Sequence, residues 1–272
     1  YKRQDQYIAG QKEPVIDMPT RFVDFMRVLV PMAGDDTTPE GEQVNIYGNH
    51  VGSWNFAATA YLNQWKVKIY YEHYFDDHSQ MFFQYGRWKD GHIGLEITFP
   101  KNRFIDTFVY EGLGTKDQTG PMLYDSFWGK FEEQISAKDN YYNHYLYQGW
   151  QHWGMGIGNP LLPGPIYNKN GQITFISNRV LAHHIGFCGS PCQSLSYRML
   201  LSYSRHWGTY DNPLNEIKKQ FNSLFEVTYA PQQLKGWSFT VSGAMDRGSI
   251  LGNNYGGMLV IRKQGIIKSG NK

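Results

Sequence analysis

The sequence predicts an all-β fold, an antiparallel transmembrane β-barrel, on three observations. Segments alternate apolar and polar side chains, the connections between them alternate short and long, and the composition is rich in aromatic residues, with 20 Tyr, 16 Phe and 8 Trp. The short connections are 62–64, 100–103, 188–193 and 231–235; the long ones are 33–48, 76–91, 115–171, 206–220 and 247–255. Such asymmetry suits an outer-membrane barrel, whose turns are short on one rim and long on the other. Tyr and Trp favour the headgroup level at both rims, and Trp65, Phe99, Tyr203, Tyr229 and Trp237 all fall near expected strand ends.

Taken in order, the first segment, Arg21 to Met32, is the weakest strand, because Phe22, Val23, Phe25, Met26, Val28, Leu29 and Val30 also fit one helical stripe. His50 to Tyr61 follows. Next, Trp65, Val67, Ile69, Tyr71 and Phe75 share one face against Lys66, Lys68, Tyr70, Glu72 and Tyr74, since successive strand side chains point oppositely. Ile93, Leu95, Ile97 and Phe99 oppose Gly94, Glu96 and Thr98. Phe104 to Gly114 and Gln172 to Phe187 read as less regular strands. Leu195, Tyr197, Met199, Leu201 and Tyr203 oppose Ser196, Arg198, Ser202 and Ser204, with Leu200 an apolar exception on the polar face. Phe221, Phe225, Val227 and Tyr229 oppose Asn222, Glu226 and Thr228; Trp237, Phe239, Val241 and Met245 oppose Ser238, Thr240, Ser242 and Asp246; Gly256 to Gln264 is last. This makes roughly ten strands, each about as long as a tilted bilayer crossing requires. In a closed barrel Lys66, Lys68, Glu72, Glu96, Arg198 and Glu226 would line the lumen.

Tyr1 is not an initiator and no signal peptide precedes it, so residues 1–272 are expected to form an outer-membrane barrel domain lacking its native N-terminal portion, its strands being the C-terminal part of a larger barrel. No run of about 18 apolar residues exists, which excludes a transmembrane helix. A net charge of +2, without a dense Lys/Arg stripe, argues against a nucleic-acid partner.

Several chemistries lack their motifs. Cys188 and Cys192 share one short connection, where a local disulfide and two free thiols are both open; with three intervening residues they are not a thioredoxin-type pair. His183 and His184 are strand neighbours facing opposite ways, and His144 and His152 lack partners at metal-ligand spacing, so neither metal nor cofactor is expected. There is no G-x-S-x-G, H-E-x-x-H or P-loop. The acid pairs Asp76–Asp77 and Glu132–Glu133 are sequence neighbours in loops rather than carboxylates facing across a cleft. No catalytic residue is therefore assigned.

The segment from Asp139 to Pro163, within the longest connection, is dense in Tyr, Trp, Asn, Gln and His. Aromatic faces stack on the C–H surfaces of sugars while amides and imidazoles bond their hydroxyls. Glycan binding is therefore assigned to Tyr145, Tyr147, Trp150, His152 and Trp153, with His78 and Trp207 from neighbouring loops. The bland alternative is a loop folded inward that plugs the barrel and satisfies its own polar groups.

The stretches Gly48-Asn-His-Val-Gly-Ser-Trp-Asn-Phe56, Tyr70-Tyr-Glu-His-Tyr-Phe-Asp-Asp-His78, Glu96-Ile-Thr-Phe-Pro-Lys-Asn-Arg-Phe104, Asn140-Tyr-Tyr-Asn-His144, Gly149-Trp-Gln-His-Trp-Gly-Met-Gly-Ile-Gly-Asn-Pro160 and Ala244-Met-Asp-Arg-Gly248 resemble the Wzi-type capsule-assembly family of outer-membrane proteins, in its gut-anaerobe branch. The resemblance runs from about Asn45 to Arg262. It implies a non-enzymatic outer-membrane barrel that assembles, binds or attaches capsular or surface polysaccharide, with that polysaccharide and outer-membrane lipid as partners. The alternatives are a channel for small solutes and a soluble all-β glycan-processing enzyme. No sugar-binding position is carried over from the family; the sites above rest on loop position and side-chain chemistry.

Overall fold

The computed structural model describes residues 19–30, 32–38, 43, 47–76, 78–83, 90–102, 104–124, 126, 129, 132–135, 137–144 and 149–265. Nine strands form one antiparallel sheet: β1 (Gly52–Leu62), β2 (Trp65–Phe75), β3 (Gly91–Thr98), β4 (Thr107–Gly114), β7 (Val180–Cys192), β8 (Leu195–Gly208), β9 (Pro213–Tyr229), β10 (Trp237–Gly248) and β11 (Asn254–Lys263). They lie side by side in chain order. Between β4 and β7 the 115–179 segment carries a small hairpin, β5 (Gln151–His152) with β6 (Met155–Gly156), and a 3-10 turn at Pro165–Tyr167. The turns at 63–64, 99–106, 193–194 and 230–236 leave one end of the sheet and the long 76–90 and 115–179 connections the other, as the spacing predicts. The long loops expected at 206–220 and 247–255 are instead strand apart from the short turns 209–212 and 249–253.

Closure is where the prediction fails. Among the described residues β1 pairs only with β2, and β11 only with β10, so the sheet is open and is not a barrel. The lumen and the solute channel fall with it. An outer-membrane barrel role and an outer-membrane location lose their basis too, because a sheet spans lipid only when no edge is left unpaired. No described helix is long and apolar enough to cross a membrane. The physical reason for the error is specific: period-two alternation states that a sheet has one polar and one apolar face, but it is silent on whether the first strand meets the last.

The Arg21–Met32 segment is a helix rather than a strand, α1 (Phe22–Leu29). Its 3.6-residue stripe prevails over strand alternation because polar anchors suit a helix start. Asp24, fully buried, accepts from the Arg21 backbone N–H at 2.9 Å and from the Arg21 Nε at 3.0 Å. Arg27 Nη1 bridges Asp24 at 3.3 Å and Asp35 at 2.7 Å. Among the described residues the main sheet therefore has nine strands, not ten.

Register converts the alternation into rows across the polar face. One row runs through Tyr70, Gly94, Glu111, His184, Ser202, Asn222, Asp246 and Asn254, each directly opposite the next. The next row towards the short turns is aliphatic over most of its length: Val109, Gly186, Leu200, Leu224, Ala244 and Gly256, preceded by Lys68 and Glu96. Leu200 is thus not an isolated exception. Beyond it comes a second polar row, including Lys66, Thr98, Thr107, Arg198, Glu226 and Ser242.

The core sits on this polar face, at its long-loop end. Leu113, Val180 and Ala182 of the sheet pack with Tyr142, Leu162 and Phe175 of the 115–179 segment, and Val51, Tyr74, Trp150 and Leu161 join them. The opposite face is apolar and, among the described residues, largely uncovered: Phe56, Ile69, Phe225, Val241 and Leu259 are all at least half exposed, whereas His73 at its long-loop end is buried against Phe83 and Gln80.

Candidate functional site

The polar face is roofed by the 115–179 segment, and a buried polar clasp holds the roof in place. Thr115 Oγ1 donates to the Asn178 carbonyl at 2.6 Å, while Asn178 Nδ2 donates to Asn140 Oδ1 at 2.5 Å and to the Tyr141 carbonyl at 2.9 Å. Arg179 Nε donates to the Lys116 carbonyl at 2.8 Å, and its guanidinium lies 3.9 Å from the Tyr210 ring centroid. Asp90, 1% exposed, accepts from the backbone N–H groups of Asp117 and Gln118. Burial outweighs those bonds and pushes its carboxyl up to about 6.

Beneath the roof lie two cavities, of about 470 and 550 Å3, which share His92, Leu113, Asn159 and Pro160. Their floor is the first polar row with its neighbours. His92 stands between two carboxylates, with Nδ1 3.8 Å from Glu72 Oε2 and Nε2 3.4 Å from Glu111 Oε1. Ser53 Oγ donates to Glu72 at 2.6 Å, and the Tyr70 hydroxyl donates to Glu111. Gly94 makes the second contact possible: a Cβ there would lie 2.0 Å from the Tyr70 ring, which crosses that position to reach Glu111. Burial and the neighbouring carboxylates push the hydroxyls of Tyr70 and Tyr74 well up.

Further along, His184 Nδ1 is 2.7 Å from Ser202 Oγ, and Asn222 Nδ2 donates to Asp246 at 2.6 Å. Burial lowers the His184 imidazole below its ordinary value. His206, 1% exposed, contacts Ser204 Oγ at 3.0 Å and Ser177 Oγ at 3.4 Å; desolvation, assisted by Lys218, lowers it to about 4. The imidazoles of His184 and His206 are therefore neutral hydrogen-bonding groups near pH 7. The remaining walls are apolar: Leu113, Pro160, Leu161, Leu162 and the rings of Tyr74 and Tyr142. Among the described residues no group of three His, Cys, Asp or Glu is placed to hold a metal ion.

The residues assigned from the sequence scatter relative to this floor. Glu72 belongs to it. Lys66 pairs with Glu96 at 3.3 Å, Lys68 lies 5.2 Å from the Tyr70 ring centroid, and Arg198 pairs with Glu226 towards the short turns. All of these share the polar face, but of an open sheet and not of a lumen. Trp150 is drawn inward, stacked on Tyr142 with centroids 5.4 Å apart. His152 and Trp153 sit where the β5–β6 hairpin turns, and Trp153 is 84% exposed with φ 52°. Trp207 packs between Lys116 and Arg205 at 5.5 and 5.4 Å. His78 begins the short helix α2 (His78–Met81), and Tyr145 and Tyr147 lie outside the described residues.

Sequence reasoning missed His92 as the partner of Glu72 and Glu111, and His184 as a floor residue opposite Glu111, because the strand register that aligns them is not written in local spacing. It also missed Asn159, which the 115–179 segment brings to both cavities. His183 and His184 do point oppositely: Tyr110 Oη meets His183 Nδ1 at 2.9 Å on the apolar face. Cys188 and Cys192 are free thiols. Compared with family models, curated proteins and solved structures, the chain matches none.

Proposed function

We propose that the protein binds polysaccharide in the paired cavities beneath the 115–179 segment, without cleaving it. The observation that carries this reading is the floor itself, where carboxylates, imidazoles, amides and hydroxyls face apolar walls of Leu, Pro and Tyr. A sugar ring presents the same mixture, with hydroxyls at its edge and C–H groups on its faces. The Wzi-like stretches support a surface or capsular polysaccharide as the partner, and the exposed Trp153 and His152 are available to extend contact along a chain.

Cleavage is disfavoured by the same geometry. The carboxylates of a glycosidase must leave room between them for the scissile bond, with or without a water. Here the His92 ring stands between Glu72 and Glu111 and contacts both.

Isothermal titration calorimetry with a panel of purified bacterial polysaccharides tests the reading. Glu111→Gln and His92→Ala are expected to lower affinity by about tenfold or more, the range for losing a charged or buried hydrogen bond. Trp153→Ala reports separately on the hairpin. Wild-type affinity in both floor variants would remove the cavities from consideration, and release of reducing sugar would overturn the non-catalytic reading.

A further inference from the structure

We infer that the glycan bound here carries charges of both signs, a protonated amino sugar beside a carboxylate or phosphate substituent; this rests on the polysaccharide-binding reading and specifies its ligand. The paired cavities place two carboxylates on their floor, Glu72 and Glu111, each about 30% exposed, and among the described residues neither cavity has a Lys or Arg in its lining. A third cavity, of about 550 Å3, adjoins the first through Pro163, Ile250 and Leu251. Its charge is reversed: Lys169 and Lys218 line it, with no Asp or Glu among the described residues. Asn168, Asn170, Ser177 and Ser249 supply further polar groups there.

Each half rejects one kind of uniform chain. A polyanion brings like charge against Glu72 and Glu111 in a partly dehydrated site, where repulsion is poorly screened. A polycation meets the same penalty at Lys169 and Lys218. A ligand with an ammonium over the carboxylate floor and an anion towards the lysines gains charge-assisted hydrogen bonds at both ends.

Calorimetry with four hexasaccharide probes on the whole chain decides the matter, below neutral pH where a sugar amine is protonated. De-N-acetylated hyaluronan carries alternating amine and carboxylate, hyaluronan carboxylate alone, chitosan amine alone, and chitin neither. The first is expected to bind about tenfold more tightly than the others. Glu111→Gln should weaken the two amine-bearing probes and spare hyaluronan; Lys218→Gln should weaken the two carboxylate-bearing probes and spare chitosan. Equal binding of chitin and de-N-acetylated hyaluronan would overturn the charge assignment while leaving polysaccharide binding intact. No binding of any probe would overturn both.

Discussion

The two faces of the sheet are built from the same strands, one residue apart, yet they meet opposite surroundings. The face bearing Glu72, Glu111, His184, Ser202 and Asn222 is roofed by the 115–179 segment and holds the core at its long-loop end. The face bearing Phe56, Ile69, Phe225, Val241 and Leu259 is left exposed at those positions by the described residues. One-sided antiparallel sheets commonly turn the apolar face to the core and the polar face to water. Here the order is reversed. The lesson is that alternation tells which residues travel together, while the segment packed across them decides which set is covered.

The sharpest way to break the covered side is to cut the clasp that holds its roof. Asn178→Ala removes donors to Asn140 and Tyr141 and strips groups that are fully buried, so a loss of about 3 kcal/mol in urea unfolding is expected. A loss below about 1 kcal/mol would mean the segment is held by its apolar contacts alone.

A second test uses two buried titrating groups whose effects oppose. Folding lowers His206 from 6.5 to about 4, so its contribution is present above pH 6.5 and is lost as pH falls towards 4, when only the unfolded chain takes up the proton. Folding raises Asp90 from 3.8 to about 6, so stability is gained as pH falls through 6 towards 3.8, when the folded chain binds the proton first. Each is worth roughly 3 kcal/mol and the windows nearly coincide, so the pair leaves wild-type stability almost flat between them. Asp90→Asn should expose a steep acid loss, and His206→Gln an acid gain, in unfolding curves across this range. Parallel curves for both variants and the wild type would show that neither group titrates as its burial demands.

Smaller effects distinguish the faces more finely. Gly94→Ala should displace the Tyr70 ring, cost about 2 kcal/mol through overpacking and weaken glycan affinity with it. On the apolar face, Phe225→Ser and Leu259→Ser should change stability by only about 0.5 kcal/mol, as at an exposed site, while reducing binding of a hydrophobic dye such as ANS. A large destabilisation there would mean that this face is covered after all.

Much of this was legible in the chain. The face shared by Trp65, Val67 and Ile69, and the opposite face shared by Lys66, Lys68 and Glu72, follow from period two, and the short turns fall where spacing puts them. Phe22 to Leu29 was ambiguous because its apolar residues satisfy both periods, and the carboxylate of Asp24, which settles it, works only through Arg21 and Arg27. The site was legible in part. Glu72 could be placed on the polar face, but its neighbour His92 lies 20 positions away across a hairpin whose register no local pattern states. Aromatic density in the long segment pointed to Trp150, yet that ring serves the core beside Tyr142.

The chain-order sheet also has a consequence for how the molecule assembles. β1 to β4 and β7 to β11 are two meanders in which every strand meets the one before it. Both can zip hairpin by hairpin on a microsecond scale. The seam between β4 and β7 differs, since it closes the whole 115–179 segment into a loop and must meet the entropy of doing so before any of its pairing is gained. Folding is therefore expected to pass through two separately formed halves that join last. The Thr115–Asn178 contact, lying where that loop closes, forms with the joining step and not before it.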